Sequence, residues 1–272
     1  MVKIMDDREI ETKANADEEQ LRKEMGLEER DSSRYLKPVE RRWTKDERDT
    51  TTVLFGGLTL AHEDLVGEGM RSLGYNIRAL PCPDNESLAV GREYGNRGQC
   101  NPTCYTVGNL VKYLKQLKDE GQEDIENRYV FVTACACGPC RFGMYEAEYR
   151  KALRDSRFGD FRVLLFQQTQ GFSQSDGDDA LELNTKFALT FLKGIMLGDI
   201  VNELGYKIRP YEVTKGANDQ IMEDTKVVLG TALREGKSVF VALRKVKKMF
   251  STIKVDYTRI KPKVKITGEF WA

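Results

Sequence analysis

Thr51-Thr52-Val53-Leu54-Phe55-Gly56-Gly57 is an apolar, β-branched run closed by two glycines. It reads as a buried strand with the turn that follows it. Downstream, residues 63–73 carry apolar side chains at helical spacing and stop at Gly74. Tyr75-Asn76-Ile77-Arg78-Ala79-Leu80 is a second strand, ending at Pro81-Cys82-Pro83. Strand, turn, helix, strand is the repeating unit of a parallel sheet. The pattern continues with an amphipathic helix over 107–118, a strand over 129–133, a helix over 142–153 and a strand over 161–166. This alternation across 51–168 predicts an α/β chain with an open, doubly wound, Rossmann-like, mostly parallel sheet. Such sheets bind ligands at the carboxyl ends of their strands.

Residues 1–50 are dominated by charge, with Leu21, Met25 and Leu27 as a thin apolar stripe. They predict a charged helical extension packed on the surface. After the α/β domain at 51–170, helical patterns over 180–204, 217–235 and 237–252 predict a helical segment spanning 171–260. The last of these is basic (Arg244, Lys245, Lys247, Lys248), but aromatic residues hardly interleave with the charges, which favours a solvated face over a nucleic-acid contact. Lys263-Val264-Lys265-Ile266-Thr267-Gly268 reads as a strand opening a further α/β unit over 261–272. The chain stops at Trp271-Ala272 before a helix can follow, so that unit is expected to be incomplete.

Lysine plus arginine equals aspartate plus glutamate, at 43 each. No net field therefore recruits nucleic acid or an anionic membrane. The start lacks an apolar core of signal-peptide length, and no apolar run is long enough to span a bilayer. The expected compartment is the cytoplasm, where thiols stay reduced. Six cysteines there suggest metal or redox work rather than structural bridging.

Three of the six lie close together in Ala134-Cys135-Ala136-Cys137-Gly138-Pro139-Cys140-Arg141, between the strand Tyr129-Val130-Phe131-Val132 and the helix that follows. A helix start carries partial positive charge and favours thiolate. Cys137-Gly138-Pro139-Cys140 alone is a short motif shared by dithiol redox, zinc and iron–sulfur sites. Ala136 before it, the crowding Cys135 and the long helices beyond argue against a thioredoxin-like dithiol oxidoreductase. A second group, Gln99-Cys100-Asn101-Pro102-Thr103-Cys104, follows the stretch 91–98, and Cys82 stands between two prolines. Thiolates on separate loops at one sheet edge can converge on one iron–sulfur cluster. Structural zinc is the alternative, although zinc sites more often use two close pairs on a small ribbon. A buried, unreactive thiol is the plainest reading of any one of them, of Cys82 above all.

Several blocks resemble one family. They are Phe55-Gly56-Gly57-Leu58-Thr59, Gly91-Arg92-Glu93 with Asn96-Arg97-Gly98-Gln99-Cys100-Asn101-Pro102-Thr103, the run from Ala136-Cys137-Gly138-Pro139-Cys140 through Arg150, and Gly268-Glu269-Phe270-Trp271-Ala272. The family is that of iron–sulfur proteins related to 2-hydroxyacyl-CoA dehydratases and their activases, which includes double-cubane cluster proteins. The resemblance spans residue 20 to the end and corresponds to the first half of longer members. It implies that Cys100, Cys137 and Cys140 are ligands of a 4Fe-4S cluster with one iron left open. Cys104 and Cys135 stand where a tyrosine and a glycine are expected, and would be extra ligands of a larger, double-cubane cluster or spare thiols. For true dehydratases it implies radical dehydration of a CoA thioester after an ATP-driven activase delivers one electron. No Gly-x-x-x-x-Gly-Lys-Ser/Thr loop occurs here, so ATP hydrolysis is expected on a separate activase chain. A second subunit would supply the family's C-terminal half. The alternative within this reading is an electron-transfer or assembly subunit without a substrate of its own.

His62, the sole histidine, rules out a multi-histidine metal site and is expected at a helix start rather than as a base. Arg92, Arg97 and Arg141 flank the cysteines, where they would offset cluster charge, meet a CoA phosphate or simply lie on the surface. Glu146 and Glu148 are expected on a solvated helix face, with proton donation as the alternative.

Overall fold

Alternation along each strand sends successive side chains to opposite faces of a sheet. The computed structural model describes residues 20–21, 24–25, 41–135, 140–167, 180–262 and 264. Strands β1 (Thr52–Phe55), β2 (Ile77–Ala79), β3 (Tyr129–Cys135) and β4 (Arg162–Gln167) form one sheet in the order β2-β1-β3-β4, every pair parallel. The fold is the expected Rossmann-like α/β architecture. Val53 is paired with both Ile77 and Val130, and Phe131 with Val163.

Helix α1 (Leu60–Arg71) links β1 to β2. Helices α2 (Asn85–Tyr94), α3 (Asn101–Asp119) and the short α4 (Ile125–Arg128) link β2 to β3. A 3-10 turn (Arg141–Met144) and α5 (Tyr145–Asp155) link β3 to β4. Because β2 and β4 lie on opposite sides of the β1–β3 pair, the crossovers diverge there. The crevice outside the carboxyl ends of β1 and β3 is where such sheets hold ligands.

One face packs Leu54, Phe131 and Val163 against the α3 stripe Val107, Leu110, Val111 and Leu114, and against Tyr145 and Tyr149 of α5. The other packs Val53, Phe55, Val130 and Leu164 against Val66 and Met70 of α1. The opposite side of α1, Ala61 and Leu65, is covered by α6 (Thr185–Ile208), α7 (Ala217–Arg234) and α8 (Val239–Phe250). The predicted helices after the sheet are thus a layer seated on α1. Among the described residues no helix is long and apolar enough to cross a membrane.

Three differences from the sequence reading have physical causes. The stretch around Gly91, to which the sequence reading gave no element, is helical: Asp84 accepts the Ser87 N–H at 2.8 Å and caps α2. A Cβ on Gly91 would lie 1.8 Å from the Cys104 carbonyl oxygen, and one on Gly108 1.8 Å from that of Ser87. The backbones of α2 and α3 therefore touch where they cross, which only glycine permits. Helix α3 also begins earlier than expected, with Pro102 in its first turn, where a missing N–H costs nothing.

The third difference concerns the extension. Met1–Val39 and Glu40–Ala272 are separate compact units. In the first, the Leu21 carbonyl accepts the Met25 N–H in a helical turn. Residues 41–50 belong with the sheet: Trp43 is fully buried, and Glu47 pairs with the buried Arg162 at 3.1 Å. The strand expected over 263–268 lies outside the described residues, apart from exposed Val264.

Candidate functional site

Two of the expected ligands sit where helices begin. Cys100 occupies the N-cap position of α3, and Cys140 that of the 3-10 turn leading into α5. Cys140 is exposed and Cys100 half-buried. The Cys100 side chain does not cap its helix. Its Sγ lies 3.1 Å from the Tyr145 hydroxyl and 3.2 Å from Thr103 Oγ1. Burial, and then the contact with Cys100, push the Tyr145 hydroxyl well above its ordinary range, so it stays a donor.

Helix α5 and the 3-10 turn before it tie the two loops together. Arg141 donates to the Gly98 carbonyl at 2.6 Å, Tyr145 meets Cys100, and Lys151 donates to the Tyr94 carbonyl at 2.7 Å. Between them, the Glu148 carboxylate accepts the Asn96 N–H at 3.0 Å, Asn96 Nδ2 at 2.7 Å and Gln99 Nε2 at 3.0 Å. Positions 145, 148 and 151 of α5 share a face because they are three residues apart, and Arg141 reaches Gly98 from the 3-10 turn before that helix. The segment from Tyr94 to Cys100 therefore lies along the helix that follows Cys140. Glu148 is not on a solvated face: it is 3% exposed, and its charge is met by three N–H groups. Glu146 instead pairs with Arg150 at 2.9 Å.

The remaining candidates separate. Cys104, one turn beyond Cys100, is half-buried; burial pushes its thiol up, and Arg92 only partly offsets this. Cys82 is exposed, its thiol nearest the Pro83 carbonyl at 3.9 Å. Cys135 ends β3, and Cys137 lies outside the described residues. The expected trio is thus seen here for Cys100 and Cys140 alone. Among the described residues no three His, Cys, Asp or Glu side chains converge on one point. His62 stands in the first turn of α1, as expected, with Nδ1 2.7 Å from Thr59 Oγ1 and Nε2 3.1 Å from Asp199. The two expected ligands that are described, Cys100 and Cys140, are both thiols, and thiolates on separate loops are the donor type that an iron–sulfur cluster takes. The Gln99 amide oxygen is buried and meets no donor among the described residues, an acceptor beside Cys100 for a group entering there.

On the β1 side, Glu63 is buried behind the turn and accepts the Leu58 N–H at 3.1 Å. Burial pushes it up to about 7, against the N–H bonds of Leu58 and Gly57. The sequence reading named Tyr145, Asn96 and Gln99 only within the blocks that carry the resemblance and gave neither them nor Glu63 a role. The first was findable from its helical spacing behind Cys140 and Arg141; the other three give no local signal. Compared with protein-family models, curated proteins and solved structures, the chain finds no match.

Proposed function

We propose that this chain is a cytoplasmic iron–sulfur protein, a component or relative of the 2-hydroxyacyl-CoA dehydratase system, with Cys100, Cys137 and Cys140 as ligands of a 4Fe-4S cluster. The observation that carries the reading is the tie between the Cys100 loop and the helix behind Cys140, made by Arg141 to Gly98 at 2.6 Å and Tyr145 to Cys100 at 3.1 Å. These contacts support the reading because they join the segment that carries Cys100 to the one that follows Cys140, two thiols distant in sequence. When bound, such a cluster supplies one-electron transfer at low potential. The chain's own residues do the rest. Cys100 and Cys140 hold the metal site, Glu148 and Lys151 fix the loop that carries Cys100, and Arg141 adds positive charge beside the thiolates. Three protein ligands suit a site that also admits substrate, here a CoA thioester. A separate ATP-dependent activase supplies the electron, since this sequence carries no phosphate loop.

The test is iron and acid-labile sulfide in protein purified without oxygen, for wild type and four variants. Cys100→Ser, Cys137→Ser and Cys140→Ser should each lose most of both, and Cys82→Ser should keep them. Full iron in Cys100→Ser or Cys137→Ser would show the ligand set to be wrong. A change in the reduced protein's electron paramagnetic resonance spectrum on adding a CoA thioester would mark an enzyme rather than a carrier.

A further inference from the structure

Of the two thiols described at the site, only Cys100 has hydroxyls against it. Tyr145 Oη is 3.1 Å from its sulfur and Thr103 Oγ1 3.2 Å, while among the described residues no hydroxyl meets Cys140. Tyr145 cannot swing away freely: it is 6% exposed, and its ring packs on Phe142 with centroids 5.1 Å apart. A metal-bound thiolate has no proton to give, so the bond has one direction, from the tyrosine hydroxyl to sulfur. Such a bond favours the more negative, reduced state of a cluster and raises its potential. We propose that Tyr145 tunes the reduction potential of a cluster held on Cys100, by donating its hydroxyl to that sulfur; the inference rests on the iron–sulfur reading above. Tyr145 would be a tuning residue that acts through the sulfur of Cys100.

The experiment is a dithionite titration followed by electron paramagnetic resonance, with iron and sulfide counted on every sample. Tyr145→Phe keeps the ring and should keep the cluster. Its midpoint should move to a more negative value, by about a tenfold change in the reduced-to-oxidised ratio, which is ~59 mV for one electron. Tyr149→Phe removes another buried hydroxyl from the same helix, one that faces Thr106 and Thr133, and should leave the midpoint in place. If Tyr145→Phe does not fold, 3-fluorotyrosine at position 145, a stronger donor of the same shape, should move the midpoint the other way. A loaded Tyr145→Phe with an unchanged midpoint, or an equal shift in Tyr149→Phe, would overturn this inference alone. Wild-type protein without iron and sulfide would overturn the iron–sulfur reading and the inference together.

Discussion

Glu148 shows how one buried carboxylate can organise a site. Its oxygens accept three N–H groups from Asn96 and Gln99, and the chain reaches Cys100 one residue later. Replacing it with alanine removes the acceptor of the half-buried Gln99 amide and of the exposed Asn96, and because water reaches Asn96 the cost is roughly 1 kcal/mol. Glu148→Ala should therefore lower both stability and iron content, with Glu148→Gln between it and wild type. Undiminished iron in Glu148→Ala would show that the loop needs no such anchor. Glu63 yields a prediction in pH. Its folded value is raised from 4.5 to about 7, chiefly by burial. As pH rises through that window the unfolded chain gives up its proton first, so the folded state loses ground. Wild type should lose stability between about pH 4.5 and 7, and this component should be absent in Glu63→Gln. Denaturant midpoints across that range measure it; parallel profiles for the two proteins would contradict it. Neither glutamate's role was legible in the sequence. Burial of a carboxylate is decided by what packs over it, and the groups that meet Glu148 lie about fifty residues away in the chain.

At the scale of elements, the crossing of α2 and α3 is the most demanding contact. A methyl group on Gly91 would strike the Cys104 carbonyl at 1.8 Å, and backbone cannot yield as a side chain can. Gly91→Ala should cost roughly 3 kcal/mol in urea unfolding, near the upper end for overpacking. It should also displace the first turn of α3, and with it Cys100, so iron retention should fall too. A variant as stable as wild type would mean that the two helices can part without penalty. The helix that carries Gly91 was not legible in the sequence, and the reason for a glycine there is a second glycine, Gly108, on another helix. The long apolar stripe of α3 was legible by contrast, since its period is local. The face of α5 that carries Tyr145 and Glu148 was legible only as spacing; the partner it meets was not.

For the molecule as a whole, the parallel sheet was legible from its alternation of strands and helices. The three helices after it were legible as helices, though not as a layer on α1, because periodicity names a buried face without naming what buries it. Equal numbers of acidic and basic residues, 43 each, leave no net charge to set up an overall field. Cysteine clustering pointed to metal or redox chemistry. What the sequence could not show is that the segment carrying Cys100 is bound to the turn and helix that follow Cys140, because the connecting bonds run from Arg141 to Gly98 and from Tyr145 to Cys100. The central claim is that this helix joins the loops of one metal site. The most direct test is the iron and sulfide content of the anaerobically purified protein. The account predicts about four of each per chain, the content of one 4Fe-4S cluster, with both lost in Cys140→Ser. A protein that holds neither after anaerobic reconstitution, yet carries freely titratable thiols, would contradict it.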